Sequence, residues 1–253
     1  MPLKASWFDK LTTNGIYSFP FALSMSKGGT QLFEEEPMIG LIGGTGPEGR
    51  GLALRLAMAG EKVFIGSRSL ERGQQIAQEL GQLAPSVSRS ISGGTNEEAS
   101  SQGDMVLVTT PYEGQKETLE ALRPKLTGKI VVSVIAPMVF ERGRARAIEV
   151  PEGSAALQAK SLLPEATVVG AFQNMSAEDL LVPDKSVDCD VVVCADNAEA
   201  RQAVMALAEK IKGVRAINGG GLANAHYVEE LTVLLVSINR NYKTHSSIRI
   251  TGI

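Results

Sequence analysis

The chain has few of the residues from which disulfide frameworks and histidine metal centres are built. Its 253 residues include only two cysteines and two histidines. Cys189 and Cys194 lie close together in one apolar run, a setting that favours small buried side chains over a disulfide or a metal-binding pair. The sequence therefore predicts no disulfide scaffold and no metal site, and it favours a reducing compartment.

Long apolar runs and a large excess of charge of one sign are also missing. No stretch reaches the roughly 20 apolar residues that cross a bilayer, and residues 16–23 are too short and interrupted for a secretory signal. The net charge of −3 gives no general attraction to nucleic acid or to an anionic membrane. We therefore expect a cytoplasmic protein that binds small molecules.

What the sequence does contain is a glycine-rich turn, within residues 38–57, between a predicted strand and a predicted helix. Gly44, Gly46 and Gly49 have the GxGxxG spacing of dinucleotide-binding turns. In such turns the first glycine allows a tight bend, the second lets a pyrophosphate approach the backbone, and the third packs helix on strand. The N–H groups at the start of the helix then favour the phosphates.

The residues that follow the second predicted strand, residues 62–66, indicate which nucleotide binds. An NAD enzyme usually has an Asp or Glu there, bonded to the ribose 2′-hydroxyl. This chain has Ser67 and Arg68 instead, with Arg72 one helical turn later. Because guanidinium groups pair with phosphate oxygens, the sequence predicts NADP(H) rather than NAD. The alternative is a solvated basic patch at the start of a surface helix.

Strands and helices alternate over residues 38–137, which predicts an α/β fold with a Rossmann-type doubly wound parallel sheet. A polar segment, residues 86–103, interrupts this alternation. Residues 141–146 are interpreted as a basic loop.

Three parts are expected along the chain. Residues 1–37 have no sustained periodicity and are predicted to be a disordered extension, residues 38–148 an NADP-binding domain, and residues 149–253 a smaller C-terminal α/β lobe. Within this lobe, residues 222–238 form a long, mostly apolar helix, which needs burial on most sides. We therefore expect a homodimer.

The carboxyl ends of parallel strands line the ligand crevice of such a sheet. Residues after two predicted buried strands are candidates for cradling the nicotinamide half of the cofactor: Thr110, Pro111, Gly114, Ala136, Pro137 and Met138. No nucleophile–base pair, carboxylate dyad or metal cluster stands out, and hydride transfer needs none because the cofactor carries the chemistry. We assign no catalytic acid or base.

Several stretches together resemble the NADPH-dependent reductases of coenzyme F420, the F420H2:NADP oxidoreductases. The stretches are residues 39–72, 109–113, 131–137, 221–224, 228–232 and 248–252. The resemblance covers about residues 38–253. It implies a Rossmann domain, a smaller C-terminal domain, and hydride transfer between NADP(H) and the deazaflavin F420.

The resemblance also implies the residues that contact both ligands. The pyrophosphate would be held by Thr45, Gly46, Pro47 and Glu48, and the 2′-phosphate by Ser67, Arg68 and Arg72. Ribose and nicotinamide would be surrounded by Thr110, Gly114, Ala136, Pro137, Met138 and Ala177. The deazaflavin would lie against Ile135, Gln173, Gly221, Leu222 and Ser246.

Two positions depart from the archaeal members, which have His in place of Gln173 and Trp in place of Tyr112. Glutamine can hydrogen-bond a deazaflavin carbonyl but does not titrate near neutral pH. Two alternatives therefore stay open: an NADPH-dependent reductase of another acceptor (a flavin, an imine or a ferric chelate) and a non-catalytic NADP-sensing module. Arg240, Lys243 and Arg249 would either meet the phosphate and glutamate tail of the deazaflavin or form a solvated C-terminus.

Overall fold

Strands and helices alternate along the computed structural model, which describes residues 37–253. In chain order the strands are β1 (Met38–Ile42), β2 (Lys62–Ser67), β3 (Ile91–Thr95), β4 (Met105–Val108), β5 (Ile130–Ser133), β6 (Met138–Glu141), β7 (Arg144–Ala147), β8 (Thr167–Gly170), β9 (Cys189–Val193) and β10 (Val214–Asn218). The helices are α1 (Pro47–Met58), α2 (Leu70–Leu83), α3 (Asn96–Gln102), α4 (Gln115–Leu126), α5 (Ala155–Leu162), α6 (Ala177–Leu180), α7 (Ala198–Glu209) and α8 (Ala225–Tyr242).

Six of these strands form one parallel sheet in the order β3-β2-β1-β4-β5-β8. Its central strands are almost wholly apolar and inaccessible to solvent, as expected when helices cover both faces. The strand order reverses between β1 and β4, and ligands of such sheets bind at the carboxyl ends beside this point. The predicted doubly wound parallel sheet is confirmed.

The polar segment at residues 86–103 is not an interruption, as the sequence suggested, because it contains β3 and α3. Its polar residues have structural roles: Thr95 and Glu98 form a reciprocal cap at the start of α3. Gly93 lets α2 approach closely, since a Cβ there would lie 2.1 Å from the carbonyl oxygen of Gly73. β3 is an edge strand, so its sequence lacks the apolar run of a central strand.

The predicted basic loop at residues 141–146 is also corrected, because it belongs to an antiparallel hairpin of β6 and β7. Arg142 and Gly143 at its tip have φ values of 47° and 75°. Two central residues with positive φ are the requirement of a two-residue hairpin turn whose twist matches its strands. The Arg142-Gly143 pair is therefore the sequence signal for this hairpin, although the charged residues around it suggest a loop.

A second, two-stranded parallel sheet of β9 and β10 lies in the C-terminal part. It meets the main sheet where Gly170 and Cys194 exchange two backbone hydrogen bonds of 2.9 Å. Cys189 and Cys194 are free and buried, as predicted, and burial raises the pKa of each thiol to about 11.

The main sheet continues past residue 148, because β8 pairs with β5, and residues 37–253 form one compact unit. The predicted division between residues 148 and 149 stays a prediction. The predicted extension, residues 1–37, lies outside the described residues except for Pro37.

The predicted helix at residues 222–238 is present with shifted bounds: a single 3₁₀ turn, Leu222–Asn224, leads into α8. The helix α8 ends at Tyr242, because the next residue, Lys243, has a φ of 51° and breaks the helical repeat. Among the helices of residues 37–253, none combines the length and hydrophobicity needed to cross a bilayer.

Candidate functional site

The glycine turn between β1 and α1 is braced by two long-range hydrogen bonds. The Gly43 N–H donates to Asn96 Oδ1 at 2.9 Å, and the Gly44 N–H donates to the Gly66 carbonyl at 3.0 Å. Gly46 is the N-cap of α1, and no side chain caps this helix. The N–H groups of the first helical turn therefore remain available to a ligand, as in other anion-binding helix starts.

The three glycines of the GxGxxG motif meet different surroundings. A Cβ at Gly44 would lie 2.9 Å from the Leu41 Cβ, and one at Gly49 would lie 2.6 Å from the Gly44 Cα. A Cβ at Gly46 would meet no atom of another described segment within 4 Å. The first and third glycines are thus packed against protein, while the second faces open space, as a pyrophosphate-binding turn requires.

Glu48 lies in the first turn of α1, where an ionised carboxylate would oppose bound phosphates. Its Oε1 is buried and has no hydrogen-bond partner among the described residues. Burial raises the pKa of this carboxyl to about 8, so the group is mostly neutral at pH 7. The residue can therefore occupy a phosphate-binding turn without repelling the ligand.

The residues predicted for the 2′-phosphate lie together after the carboxyl end of β2, beside the glycine turn. Ser67 is the last residue of β2 and is buried, whereas Arg68 and Arg72 are exposed. Ser69 caps α2 by accepting from the Arg72 N–H, and the Glu71 carboxylate accepts from the Ser69 hydroxyl. The carboxylate of Glu71, the nearby acid, is hydrogen-bonded within this cap. The guanidinium groups of Arg68 and Arg72 remain on the surface.

The predicted nicotinamide-binding residues follow the next two strands of the sheet. Thr110 packs on the glycine turn, since a Cβ at Gly43 would lie 2.6 Å from the Thr110 Cγ2. Its hydroxyl is buried without a partner among the described residues. The remaining positions follow β4, which is next to β1 in the sheet, and β5, which is next to β4: Pro111 and Gly114 come after β4, Ala136 and Pro137 after β5, and Met138 is the first residue of β6.

Gln173 belongs to a polar corner, residues 172–176, between β8 and α6. Phe172 is fully buried and has a φ of 72°, a strained value for a residue with a side chain. Gln173 is only 4% exposed, and neither its Oε1 nor its Nε2 has a partner among the described residues. Ala177 follows the corner as the first residue of α6.

The remaining predicted residues come from the C-terminal part. Leu222 is buried in the apolar cluster that also contains Ile135 and Ala225. A Cβ at Gly170 would lie 2.7 Å from the Ala225 Cβ and 3.3 Å from Gln173 Nε2. The fold therefore brings the end of β8, the Gln173 amide and the start of α8 together.

Gly221 precedes the 3₁₀ turn Leu222–Asn224. Asp196 Oδ1 accepts from the Leu222 N–H at the start of this turn, at 2.9 Å. The Ser246 N–H donates to Asn239 Oδ1 at 2.5 Å, while its hydroxyl is buried without a partner among the described residues.

Comparison with known proteins adds to this geometry. A family described as NADP oxidoreductase, coenzyme F420-dependent, matches residues 38–137. An F420-dependent NADP reductase of Methanothermobacter thermautotrophicus is 41% identical over 220 residues, which cover 85% of this chain and 95% of the relative. The chain belongs to the F420-dependent NADP reductase family. The resemblance predicted from the motifs is thereby confirmed.

Two further proteins are similar to this chain. Metalloreductase STEAP3 of Rattus norvegicus is 31% identical over 203 residues, which are 80% of this chain and 38% of that protein. A crystal structure assigned as an F420-dependent NADP reductase from Arthrobacter sp. FB24 aligns with a TM-score of 0.73 and 24% identity. It covers 86% of this chain and all of the other one, so the fold is shared over nearly the whole described part.

Sequence reasoning missed several residues that hold the site of this family member in place. Arg55, buried on α1, donates to four backbone carbonyls in residues 179–183, with distances of 2.5 to 3.3 Å. It ties α1 to the segment after the polar corner. An arginine among the apolar residues of a predicted core helix was the available signal. Asn96 and Asp196 carried no comparable signal, because polar residues in loops and at the starts of helices are common.

The histidines and basic residues of the C-terminal part have partners of their own. His226 packs against the Tyr227 ring, and His245 Nε2 lies 3.0 Å from a Glu178 carboxylate oxygen. Arg240 donates to the carbonyl of Gly143, and Arg249 pairs with the carboxylates of Asp188 and Asp190. Within residues 37–253, no three His, Cys, Asp or Glu side chains are grouped so that they could hold a metal ion.

Several buried polar atoms that have no partner within the described chain belong to residues at or just after the carboxyl ends of the parallel strands, such as Thr110, Ser133 and Gln173. Among residues 37–253, the buried polar atoms without partners belong to Glu48, Arg50, Thr110, Gln115, Ser133, Gln173, Asn174 and Ser246. Buried polar atoms nearly always have a hydrogen-bond partner in folded proteins. The unpartnered atoms of Thr110, Gln173 and Ser246, together with the open turn at Gly46, fit a dinucleotide and a second ring-shaped ligand that would supply the missing partners.

Proposed function

We propose that this chain transfers a hydride between NADP(H) and the deazaflavin coenzyme F420. The observation that carries the proposal is the Gln173 amide, whose two polar atoms are buried without partners among the described residues at the same sheet edge as the open glycine turn. An amide offers one acceptor and two donor hydrogens, which complement a ring that presents neighbouring carbonyl and N–H groups. The names of the relatives above support this assignment.

The NADP half of the proposed site consists of the glycine turn and the end of β2. Gly44 and Gly49 shape the turn, while the backbone N–H groups of Thr45, Gly46 and Glu48 are the proposed pyrophosphate donors. Pro47 has no N–H and starts α1, a position where that donor would have no helical partner. Ser67, Arg68 and Arg72 are the proposed 2′-phosphate contacts.

The proposed reaction centre lies between the strand ends and the polar corner. The proposed nicotinamide contacts are Thr110, Pro111, Gly114, Ala136, Pro137, Met138 and Ala177. The proposed deazaflavin contacts are Ile135, Gln173, Gly221, Leu222 and Ser246. When bound, the nicotinamide and the deazaflavin supply the hydride chemistry, and the protein holds the two rings together and excludes water. No catalytic acid or base is needed for this step.

The test is an absorbance assay with purified protein, NADPH and oxidised F420, run beside FMN and a ferric chelate. We expect bleaching of F420 with NADPH and much slower bleaching with NADH. Turnover of FMN or the ferric chelate alone would move the function to another acceptor. NADPH binding without turnover of any acceptor would instead indicate a sensing module.

Arg68→Ala tests the nucleotide preference in the same assay. Loss of a charge-assisted hydrogen bond should lower kcat/KM for NADPH about 10- to 100-fold and leave the value for NADH nearly unchanged. Arg123→Ala, at an exposed position in the last turn of α4, is the matched control. Equal losses for NADPH and NADH would contradict the proposed 2′-phosphate contact.

We further propose that the protein works as a cytoplasmic homodimer. Large apolar side chains are exposed on α8 and on the β6–β7 hairpin: Tyr227 and Leu234 on the helix, and Val139 and Phe140 on the hairpin. Exposed apolar patches of this kind mark interfaces between chains, and the two free thiols agree with a reducing compartment. Leu234→Glu should convert a dimer to a monomer in light scattering, and a monomeric parent protein would contradict the proposal.

A further inference from the structure

Asp190, the second residue of β9, is a fully buried carboxylate at the base of the C-terminal tail. Its oxygens accept from Arg215 Nε at 2.9 Å and Nη2 at 2.6 Å, from Arg249 Nη1 at 2.7 Å, and from the Ile250 N–H at 2.6 Å. These donors hold the pKa of Asp190 far below its ordinary value, the Arg215 contact being the largest cause. A buried charge is tolerated only when paired and hydrogen-bonded in this way.

The backbone of Asp190 connects the tail to the polar corner. Its N–H donates to the Ile248 carbonyl at 2.8 Å, and its carbonyl accepts from Asn174 Nδ2 at 2.8 Å. Asn174 is the neighbour of Gln173, whose amide is the proposed acceptor contact. One residue therefore fixes both the segment that carries Gln173 and the segment that follows Ser246.

The tail is fixed at further points on either side of Ser246. Arg249 also pairs with Asp188 and donates to the Gly213 carbonyl at 2.7 Å, and the Ser247 hydroxyl donates to the Asp188 carbonyl at 2.7 Å. On the other side, His245 contacts Glu178 of α6. Ser246 is thus held between two attachments, with its buried hydroxyl unpartnered among the described residues.

We propose that the Asp190–Arg249 pair is a positioning clamp for the hydride acceptor. It holds Ser246 and Gln173 at positions from which their unpartnered polar groups both hydrogen-bond the acceptor ring. Arg249 is therefore a positioning residue that acts through Ser246, and it does not contact the phosphate and glutamate tail of the deazaflavin. The proposal rests on the proposed function, because it assigns the clamp to the deazaflavin side of that site.

The clamp should affect the two substrates differently. Arg249→Met should raise KM for F420 about tenfold, because a displaced Ser246 loses a hydrogen bond, while KM and Kd for NADPH stay unchanged. Arg249→Lys keeps the charge and should recover part of the loss. Arg123→Met makes the same chemical change on the surface of α4 and should alter neither substrate.

A double-mutant cycle separates positioning from a general structural role. Ser246→Ala leaves the clamp intact and should itself raise KM for F420. If Arg249 acts through Ser246, adding Arg249→Met to Ser246→Ala should cause little further change. Additive effects, an unchanged KM in Arg249→Met, or equal losses for both substrates would overturn the proposal.

Two measurements without turnover complete the test. Fluorescence titration with F420 in the absence of NADPH should show the same tenfold weakening in Arg249→Met, about the value expected for one lost hydrogen bond. Amide hydrogen exchange of residues 246–250 should become faster in that variant, and protection equal to the parent protein would refute the clamp. If Arg249→Met does not fold, the cycle uses Arg249→Lys. An unmutated protein that binds and reduces no F420 would instead refute the proposed function, while the exchange result would still report on the clamp.

Discussion

The two halves of the proposed site are built in different ways. The NADP half consists of two short stretches, residues 44–49 and 67–72, that directly follow adjacent strands of the sheet. Its main groups are backbone N–H groups and glycines. The acceptor half collects single side chains from the end of β5, the polar corner, the 3₁₀ turn before α8 and the tail.

This difference changes which residues support each half. The glycine turn needs few outside contacts, chiefly the Asn96 brace. We expect the acceptor half to depend on buried ionisable residues whose hydrogen-bond partners lie far along the sequence. Arg55 holds the segment after the polar corner, and Glu229 accepts from the N–H groups of Ala155 and Ala156 at 2.8 and 3.1 Å. We therefore expect function in the proposed acceptor half to be sensitive to substitution of residues outside the proposed ligand contacts.

Glycine substitutions should have the largest effect, and they separate packing from ligand contact within the NADP half. Gly46→Ala and Gly49→Ala should each weaken NADPH binding about a hundredfold, near 2.7 kcal/mol. Only Gly49→Ala should also lower the free energy of unfolding, by about 1–3 kcal/mol, because its new methyl group meets the Gly44 backbone. Titration of NADPH and thermal melts without ligand measure the two quantities. A destabilised Gly46→Ala variant would contradict the open position of Gly46.

Gln173→Leu should have an intermediate effect, with opposite signs for stability and acceptor use. The apolar side chain removes two unpartnered buried polar atoms, so the ligand-free protein should gain about 1 kcal/mol of unfolding free energy. KM for F420 should rise about 30-fold, since its ring loses hydrogen bonds. Urea melts and steady-state kinetics test this pair of changes. A variant that is less stable and equally active would show that Gln173 has a purely structural role.

Glu48→Gln should have the smallest effect and should appear only at high pH. The folded pKa of Glu48 is raised to about 8 from an ordinary value near 4.5, so ionisation of the carboxyl above that pH places a negative charge beside the pyrophosphate. NADPH affinity should be constant below about pH 7 and fall up to about tenfold between pH 7 and pH 9. Glu48→Gln should remove this decline, and Kd measured across this range would show it. An identical pH profile in the variant would exclude Glu48 as its cause.

The same carboxyl links pH to stability. Because the folded pKa is above the unfolded value, its contribution to stability is complete below about pH 4.5 and is lost as the pH rises through about 8. Glu48→Gln should therefore flatten the stability profile in this window as well. The profile is measured by melts of the ligand-free protein at a series of pH values.

Most elements of the fold could be predicted from the sequence. The second strand predicted, residues 62–66, is β2, Lys62–Ser67. The failures concern β3 and the β6–β7 hairpin, whose strands lie at sheet edges and are partly exposed to solvent. Apolar periodicity reports burial, and a strand exposed on one side lacks that signal.

The candidate site likewise has a part that the sequence predicted and a part that it did not. The glycine spacing and the Ser67–Arg68 pair pointed to NADP because backbone geometry and phosphate chemistry depend on consecutive residues. The role of Gln173 came from a family resemblance, and Arg55 and Asp190 were missed. The partners of Arg55 lie more than a hundred residues away in the sequence, and those of Asp190 lie 25 residues away for Arg215 and 59 for Arg249.

The sequence by itself determined the alternating sheet and the nucleotide turn, because residues 38–72 contain the strand, the glycines and the basic residues in one run. Only the tertiary structure decided which polar groups of the acceptor half are left without partners. Whether the side chains of Gln173 and Ser246 have hydrogen-bond partners within the protein depends on where β8, α8 and the tail meet. Arg249, read from the sequence as a candidate ligand contact, became part of a clamp because the fold places a buried Asp190 beside it.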